Sequence, residues 1–292
     1  METTIKAPAK LNLFLDIVGR REDGYHYVDM VMQSVTIYDE VTVSVSDGDK
    51  DITVECTDPA IPCGAGNIAY KAVERFYAAI GKSVPQVKVH IRKNIPSQAG
   101  MAGGSTDAAA VLNALNVLTG AGLSAEELEK ISAPIGADVP FCIRGGTVRA
   151  AGIGTDLERL APLADCVFVV VKPDVNVSTG MAYRRSDEIG YGSTADISPI
   201  LESIRTGNAE LTARSLYNKF EDVLRLPEIE HIKNLLIECG AMGAAMTGSG
   251  SAVFGIFRAS DFDPENIAPL AAQMNVMICH PIDRGAEPAK SC

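Results

Sequence analysis

The stretch Gly100-Met101-Ala102-Gly103-Gly104-Ser105-Thr106-Asp107-Ala108-Ala109-Ala110 (GMAGGSTDAAA) decides how the rest of the chain is read. Before it, Val87, Val89 and Ile91 alternate with Lys88, His90 and Arg92, which reads as a half-buried strand with His90 exposed. After it, Ala108, Val111, Leu112, Leu115 and Leu118 form a helical stripe that Gly120 and Gly122 end. Strand, glycine loop and helix together make an anion site. The first N–H groups of a helix lack intrahelical partners, and its dipole adds positive charge there. Glycines let the backbone approach a phosphate closely. Ser105 and Thr106 add hydroxyls for the phosphate or for a cation it carries. The simpler alternative is a helix capped by Ser105, with glycines serving only the turn. Asp107 is read as a first-turn charge that suits the dipole. No GK[ST] closes the loop, so it is not a Walker A motif. Gly81-Lys82-Ser83 has Phe76 where that motif needs glycine, and a strand after it; it reads as a helix end.

The surrounding chain is acidic, with net charge -11 over 292 residues, 47% of them hydrophobic. Such a chain repels nucleic acid and anionic membrane, so an anionic substrate needs a local positive site. Seven cysteines without a CxxC pair read as reduced thiols of a cytoplasmic protein. Four scattered histidines give no metal spacing, and no metal ligands are assigned. METTIKAPAK has no apolar signal core, and no apolar run is long enough to span a membrane.

Leu11, Leu13, Leu15 and Ile17 alternate with polar neighbours, predicting a strand with one buried face and Lys10 and Asn12 together on the other. Asp23-Gly24 marks a turn, and residues 30–47 read as one or two further strands. Residues 67–81 predict a helix capped by Asn67, with Ile68, Ala72, Phe76 and Ala79 on one face. Ser124 and Glu127 form a capping box. Residues 144–160 read as turns around a short strand, and CVFVVVKPD from Cys166 as a strand. Helices are expected at 194–206, 208–221 and 227–239, then strand, glycine turn and strand in GAAMTGSGSAVFGIF. A helix near 264–273 and a strand near 275–279 follow. The tail DRGAEPAKSC reads as disordered.

IPSQAGMAGGSTDAA resembles the central motif of the GHMP small-molecule kinases, P-x-x-x-G-L-G-S-S and its variants. APAKLNLFLDI resembles their first motif, and GAAMTGSGSAVFGIF their third, in the same order. The longer stretches PAKLNLFLDIVGRREDGYHYVDMVMQSV, GGSTDAAAVLNALN and IGADVPFCIRGGTVRAAGIG resemble the branch whose acceptor is 4-diphosphocytidyl-2-C-methyl-D-erythritol, an intermediate of non-mevalonate isoprenoid synthesis. The resemblance implies an α+β fold: an N-terminal domain (1–158) like the second domain of ribosomal protein S5, and a ferredoxin-like C-terminal domain (159–292). It implies transfer of the γ-phosphoryl group of ATP, with Mg²⁺, to the 2-hydroxyl of that acceptor in a cleft between the domains. The implied catalytic pair is Lys10 and Asp138. Taken alone, these would be a solvated strand lysine and a loop or capping aspartate. Pro96, Gly100, Ala102, Gly103, Gly104, Ser105, Thr106, Gly248 and Ser249 would hold ATP. Asn12, Tyr25, His26 and Tyr183 would hold the acceptor, with aromatic rings on its base. Asn67 reads equally as a helix cap or an adenine neighbour. The implied protein is cytoplasmic, a monomer or weak homodimer, bound to neither nucleic acid nor membrane. The alternatives are another kinase of the family, for mevalonate, homoserine or a sugar, and an inactive nucleotide-binding relative. Two departures from the family pattern bear on nucleotide affinity. Ala102 stands where glycine is usual, and its Cβ is a liability if φ is positive. Thr247-Gly248-Ser249-Gly250-Ser251-Ala252 replaces a common SGSGPT.

Overall fold

The computed structural model describes residues 1–192 and 194–288. Its elements begin with β1 (Glu2–Arg20), β2 (His26–Ser46), β3 (Asp51–Cys56), α1 (Ile68–Ala79), β4 (Gln86–Arg92), α2 (Gly103–Thr119), α3 (Ala125–Ser132), α4 (Val139–Arg144), β5 (Thr147–Ala151) and β6 (Asp156–Arg159). They continue with β7 (Cys166–Val171), α5 (Thr179–Ile189), α6 (Ser198–Thr206), α7 (Ala209–Arg214), β8 (Tyr217–Asn218), α8 (Lys219–Leu224) and α9 (Pro227–Glu238). The last are β9 (Gly243–Met246), β10 (Val253–Arg258), a 3-10 turn (Pro264–Ile267), α10 (Ala268–Ala271), β11 (Val276–Cys279) and β12 (Glu287–Pro288).

β1 and β2 are long because their β-branched and alternating residues pair over nearly their whole length around the Asp23-Gly24 turn. They centre a sheet of order β12-β1-β2-β4-β3, with β5 and β6 added beside β2, and β8 beside β1. The second sheet runs β11-β7-β10-β9 and is antiparallel throughout. With α9 between β7 and β9 and α10 between β10 and β11, this is the ferredoxin-like order expected for the C-terminal half.

The expectation of one buried face on β1 is corrected. Residues 7–17 are buried on both faces. Register shifts fall at Pro8/Ala9, where β2 carries two extra residues, and at Asn12/Phe14, where Leu13 is the extra residue of β1 and flips the side chains that follow it. Ile5, Ala7, Leu15 and Ile17 pack with α1 to α4, whereas Ala9, Leu11, Leu13 and Phe14 pack with Phe168, Val170, Phe254 and Ile256 of the second sheet. The alternation hid a central strand covered by both layers.

Smaller differences follow from packing. On α1 the buried face is Ala69, Ala72, Val73, Phe76 and Tyr77, while Ala79 is exposed. The stretch 208–221 is split into α7, β8 and α8, because Tyr217 and Asn218 pair with β1. The single strand of 144–160 is a hairpin, β5–β6. The tail expected to be disordered returns to the first sheet: Ala286 is buried, and Ile5 and Lys6 pair with Pro288 and Glu287. Residues 289–292, the rest of that tail, lie outside the described residues. The Ser124–Glu127 capping box and the Asn67 cap form as read, with Asn67 Oδ1 accepting from Ala69 N–H at 2.8 Å. No described helix is long and apolar enough to cross a membrane.

Candidate active site

The glycine stretch lies between the two sheets. Helix α2 starts at Gly103, so Ser105 lies inside the first turn and the Ser105 cap is excluded. The residue before the helix, Ala102, has φ +59° and ψ +30° and gives no side-chain cap. The liability read from the sequence is therefore real: an alanine is held in the left-handed region. The N–H groups of Gly103, Gly104 and Ser105 have no partner among the described residues, while Thr106 N–H already bonds the Ala102 carbonyl at 2.9 Å. Three free donors and the positive end of a five-turn helix face one cavity of about 510 Å³.

The three family-like motifs are knitted together at that cavity by backbone groups. Lys10 N–H donates to the Met101 carbonyl at 3.1 Å, and Ser251 and Ala252 N–H donate to the Gln98 and Ala99 carbonyls at 3.3 and 3.2 Å. Asn12 N–H donates to Thr247 Oγ1 at 2.9 Å, and Gly248 N–H returns a bond to Asn12 Oδ1 at 3.0 Å. Asn218 Nδ2 donates to the Met246 and Gly248 carbonyls at 2.6 and 2.9 Å. The approach is tight enough to require glycine. A Cβ on Gly100, at φ +73°, would sit 2.0 Å from the Thr247 carbonyl oxygen, and one on Gly248 would sit 2.6 Å from that of Gly100.

Lys10 is 4% exposed, not solvated. Its ammonium donates to Asn12 Oδ1. Burial pushes the ammonium below the ordinary lysine range, against the pull of the Asp138 carboxylate. Asp138 is the residue before α4, yet its side chain does not cap that helix. The capping alternative therefore fails, and the carboxylate lines the cavity with Lys10.

Of the residues the resemblance assigned to ATP, Pro96, Gly100, Ala102, Gly103, Gly104, Ser105, Gly248 and Ser249 line this cavity. Thr106 does not: it is fully buried, its hydroxyl finds no hydrogen-bond partner among the described residues, and helical rotation turns it away from the loop. Of the acceptor residues, Asn12 and Tyr183 line the cavity. Asn12 Oδ1 accepts from both the Lys10 ammonium and Gly248 N–H, so it holds the lysine in place. Tyr25 is 60% exposed on the β1–β2 turn, and neither it nor His26 reaches the cavity wall. His26 stacks directly on Tyr183, centroids 4.5 Å apart and planes at 24°. Asn67 spends both polar atoms locally, on Ala69 N–H and the Pro62 carbonyl.

Sequence reasoning missed Lys93. Its ammonium reaches the loop, 3.1 Å from where a Cβ on Gly103 would lie, and is held by Asp39 and, at 2.9 Å, by Asp107. Asp107 is thus a buried partner of Lys93, past the first turn of α2, and not the first-turn charge read from the sequence. Burial pushes its carboxyl well above the usual carboxylate range, against the pull of Lys93. The Lys-Asn-Ile-Pro run after an alternating strand carried no sign of this. Asn218 and Asp187 were missed too, for each lies on a segment remote in sequence from the motifs.

Residues 67–146 match the model of the GHMP kinases N terminal domain, and residues 200–274 that of the GHMP kinases C terminal domain. The chain is 42% identical over 284 residues to the 4-diphosphocytidyl-2-C-methyl-D-erythritol kinase of Desulfitobacterium hafniense (strain Y51), covering 96% of each chain. It is 43% identical over 256 residues to the enzyme of that name from Clostridium tetani (strain Massachusetts / E88), covering 87% of this chain and 90% of the other. A crystal structure of 4-(cytidine 5'-diphospho)-2C-methyl-D-erythritol kinase superposes with TM-score 0.77 at 31% identity, over 96% of this chain and 98% of that one. Homoserine kinase from Cytophaga hutchinsonii superposes with TM-score 0.79 at 19% identity, over 99% and 97%, a likeness of fold.

Proposed function

The chain belongs to the GHMP kinases, and on that premise we propose that it transfers the γ-phosphoryl group of ATP to the 2-hydroxyl of 4-diphosphocytidyl-2-C-methyl-D-erythritol. The observation that carries the reading is the cavity in which the free N–H groups of α2, Lys10 and Asp138 meet. In the proposed reaction Asp138 takes the proton of the 2-hydroxyl as its oxygen attacks the γ-phosphorus. The bond from that phosphorus to the β–γ bridging oxygen breaks, and ADP leaves. Lys10, pinned by Asn12, supplies a positive charge beside Asp138 and the developing charge on oxygen. The N–H groups of Gly103, Gly104 and Ser105 bind phosphate oxygens and cost no reorganisation. This meets the need of an acidic chain for a local positive site, mostly with backbone dipoles.

Magnesium enters the proposal with the nucleotide. Among the described residues no three His, Cys, Asp or Glu side chains form a metal-binding group, and Asp138 is the carboxylate in the cavity lining. That donor set suits a cation carried by the phosphates, with the Ser105 hydroxyl as a neighbour, and not a resident metal. Such a cation neutralises phosphate charge.

His26 and Tyr183 are proposed to hold the cytidine end, with Tyr25 at its mouth. The contact of the two rings supports this, with the base stacking on an aromatic ring and its edge meeting His26. We further propose to divide the chain after residue 158, one residue before the end of β6 and close to the change of sheet from β6 to β7. A cytoplasmic setting, supported by six unpaired cysteines among the described residues, and a monomer or weak homodimer complete the proposal. The test is ADP release with MgATP and 4-diphosphocytidyl-methylerythritol, mevalonate, homoserine or galactose. Turnover with the first alone is expected. Turnover with another alcohol discards the cytidine site, and silence with all four from folded, ATP-binding protein discards the kinase.

A further inference from the structure

Helix α5 crosses the edge of the cavity and presents Thr179, Tyr183 and Asp187 at intervals of four residues, on one face. Each is engaged. Thr179 Oγ1 lies 2.8 Å from Ser249 Oγ of the third motif. Tyr183 stacks on His26 and meets Phe220 edge-on, centroids 5.0 Å apart. Asp187 gathers three donors from around the β1–β2 hairpin and its own helix end. His26 Nε2 lies 2.8 Å from Oδ1, Tyr191 OH donates to the same oxygen, and Arg20 Nη1 lies 3.2 Å from Oδ2. The His26 side chain is only 9% exposed. Asp187 belongs to none of the three motifs.

A carboxylate with these neighbours is ionised and can only accept. The His26 hydrogen bond, then that of Tyr191, holds its carboxyl below the usual carboxylate range. Nε2 of His26 must therefore carry a hydrogen. In the neutral ring the other nitrogen, Nδ1, is then an acceptor, and no bond to it is found among the described residues. Arg20 balances the carboxylate charge, so His26 bonds to one end of an ion pair.

We infer that Asp187 is a positioning residue for the base end of the acceptor: it fixes His26 with Nε2 as donor and Nδ1 as acceptor, and so selects a base bearing an amino group over one bearing a carbonyl there. The inference rests on the proposal that His26 and Tyr183 hold the base. Cytosine offers a 4-amino donor to the Nδ1 lone pair. Uracil offers a 4-carbonyl, which sets two lone pairs against each other and leaves both unpaired. The same carboxylate ties α5 to the hairpin, so Tyr183 and His26 share one anchor.

The experiment uses the full chain. In Asp187→Ala, KM for the cytidyl acceptor is expected to rise about 10- to 100-fold, the range for a lost recognition contact, with KM for ATP and kcat within about threefold. The ratio of kcat/KM for the cytidyl acceptor over its uridyl analogue is expected to fall at least about tenfold. Asp187→Glu, which keeps the carboxylate, should recover part of that ratio. Nitrogen NMR of His26 in the unaltered protein is expected to report the neutral Nε2–H tautomer. An Nδ1–H or doubly protonated ring, or an unchanged cytidyl-to-uridyl ratio in Asp187→Ala, overturns the inference. His26→Ala and Tyr183→Ala separate the two claims. If they raise the acceptor KM while Asp187→Ala does not, only the inference falls; if they leave it unmoved, the base site itself is wrong.

Discussion

At the scale of single residues, function is set against stability. Lys10 carries a charge into a buried position, and burial is the largest influence on it. Lys10→Met relieves that cost, and Asn12 Oδ1 keeps its bond from Gly248 N–H. The variant is expected to hold or raise the urea midpoint while kcat falls at least about 100-fold. The sign of the pH effect follows from the depressed folded value. The unfolded chain holds the proton more tightly, so this lysine's contribution is complete above the ordinary lysine value and is lost as pH falls through the folded one. The unaltered protein should therefore gain stability on approach to that alkaline window, and Lys10→Met should lose this slope. Asp138→Ala is expected to lower kcat at least about 100-fold with KM for ATP little changed; near-normal single turnover removes it from the chemistry. Ala102→Gly frees a left-handed residue, offset by a more flexible unfolded chain, so urea unfolding should show a gain of at most about 1 kcal/mol.

At the scale of elements, α2 is held by charge as well as by apolar packing. Lys93 at the end of β4 joins Asp39 of β2 to Asp107 of α2, with all three side chains under a tenth exposed. Asp39 also accepts from Asn94 and Ile95 N–H, at 2.6 and 2.9 Å, which shapes the chain leading into the glycine loop. Lys93→Met would leave two buried carboxylates without their cation. Its expected cost is about 3–5 kcal/mol in denaturant unfolding, the range for breaking a buried pair. A loss below about 1 kcal/mol would mean the cluster is solvated. The helices read most accurately from sequence carry their own end signals, such as the α3 capping box. The stretches misread, 208–221 as one helix and 283–288 as a disordered tail, are shaped by pairing with β1, a partner on the order of 200 and 280 residues away in sequence.

At the scale of the whole molecule, the halves are interlocked. Residues of β1 and β2 share one apolar cluster with β7 and β10, and the chain's last described strand returns to β1. The return is close: a Cβ on Gly145, at φ +62°, would lie 1.9 Å from the Arg284 carbonyl carbon. Ala286 N–H bonds the Cys142 carbonyl at 2.9 Å, and Asn113 Nδ2 bonds the Ala286 carbonyl at 3.0 Å. Removing residues 284–292 is expected to cost about 2–4 kcal/mol, from a few hydrogen bonds at roughly 1 kcal/mol each. Calorimetry of the full chain should show one transition, since neither sheet keeps its core alone.

The sequence by itself determined the strand–loop–helix order at GMAGGSTDAAA, the helix ends with local caps, and the presence and order of three motifs. Each of these is written in neighbouring residues, through alternation, capping hydrogen bonds and the special freedom of glycine. Only the tertiary structure decided that β1 is covered on both faces, that Lys10 is buried beside an uncapping Asp138, and that Thr106 faces away from the loop. It alone brought Lys93 to Asp39 and Asp107, and His26 to Asp187. Burial and charge pairing depend on which distant segment covers a residue, and two register shifts in β1 set that for the centre of the site.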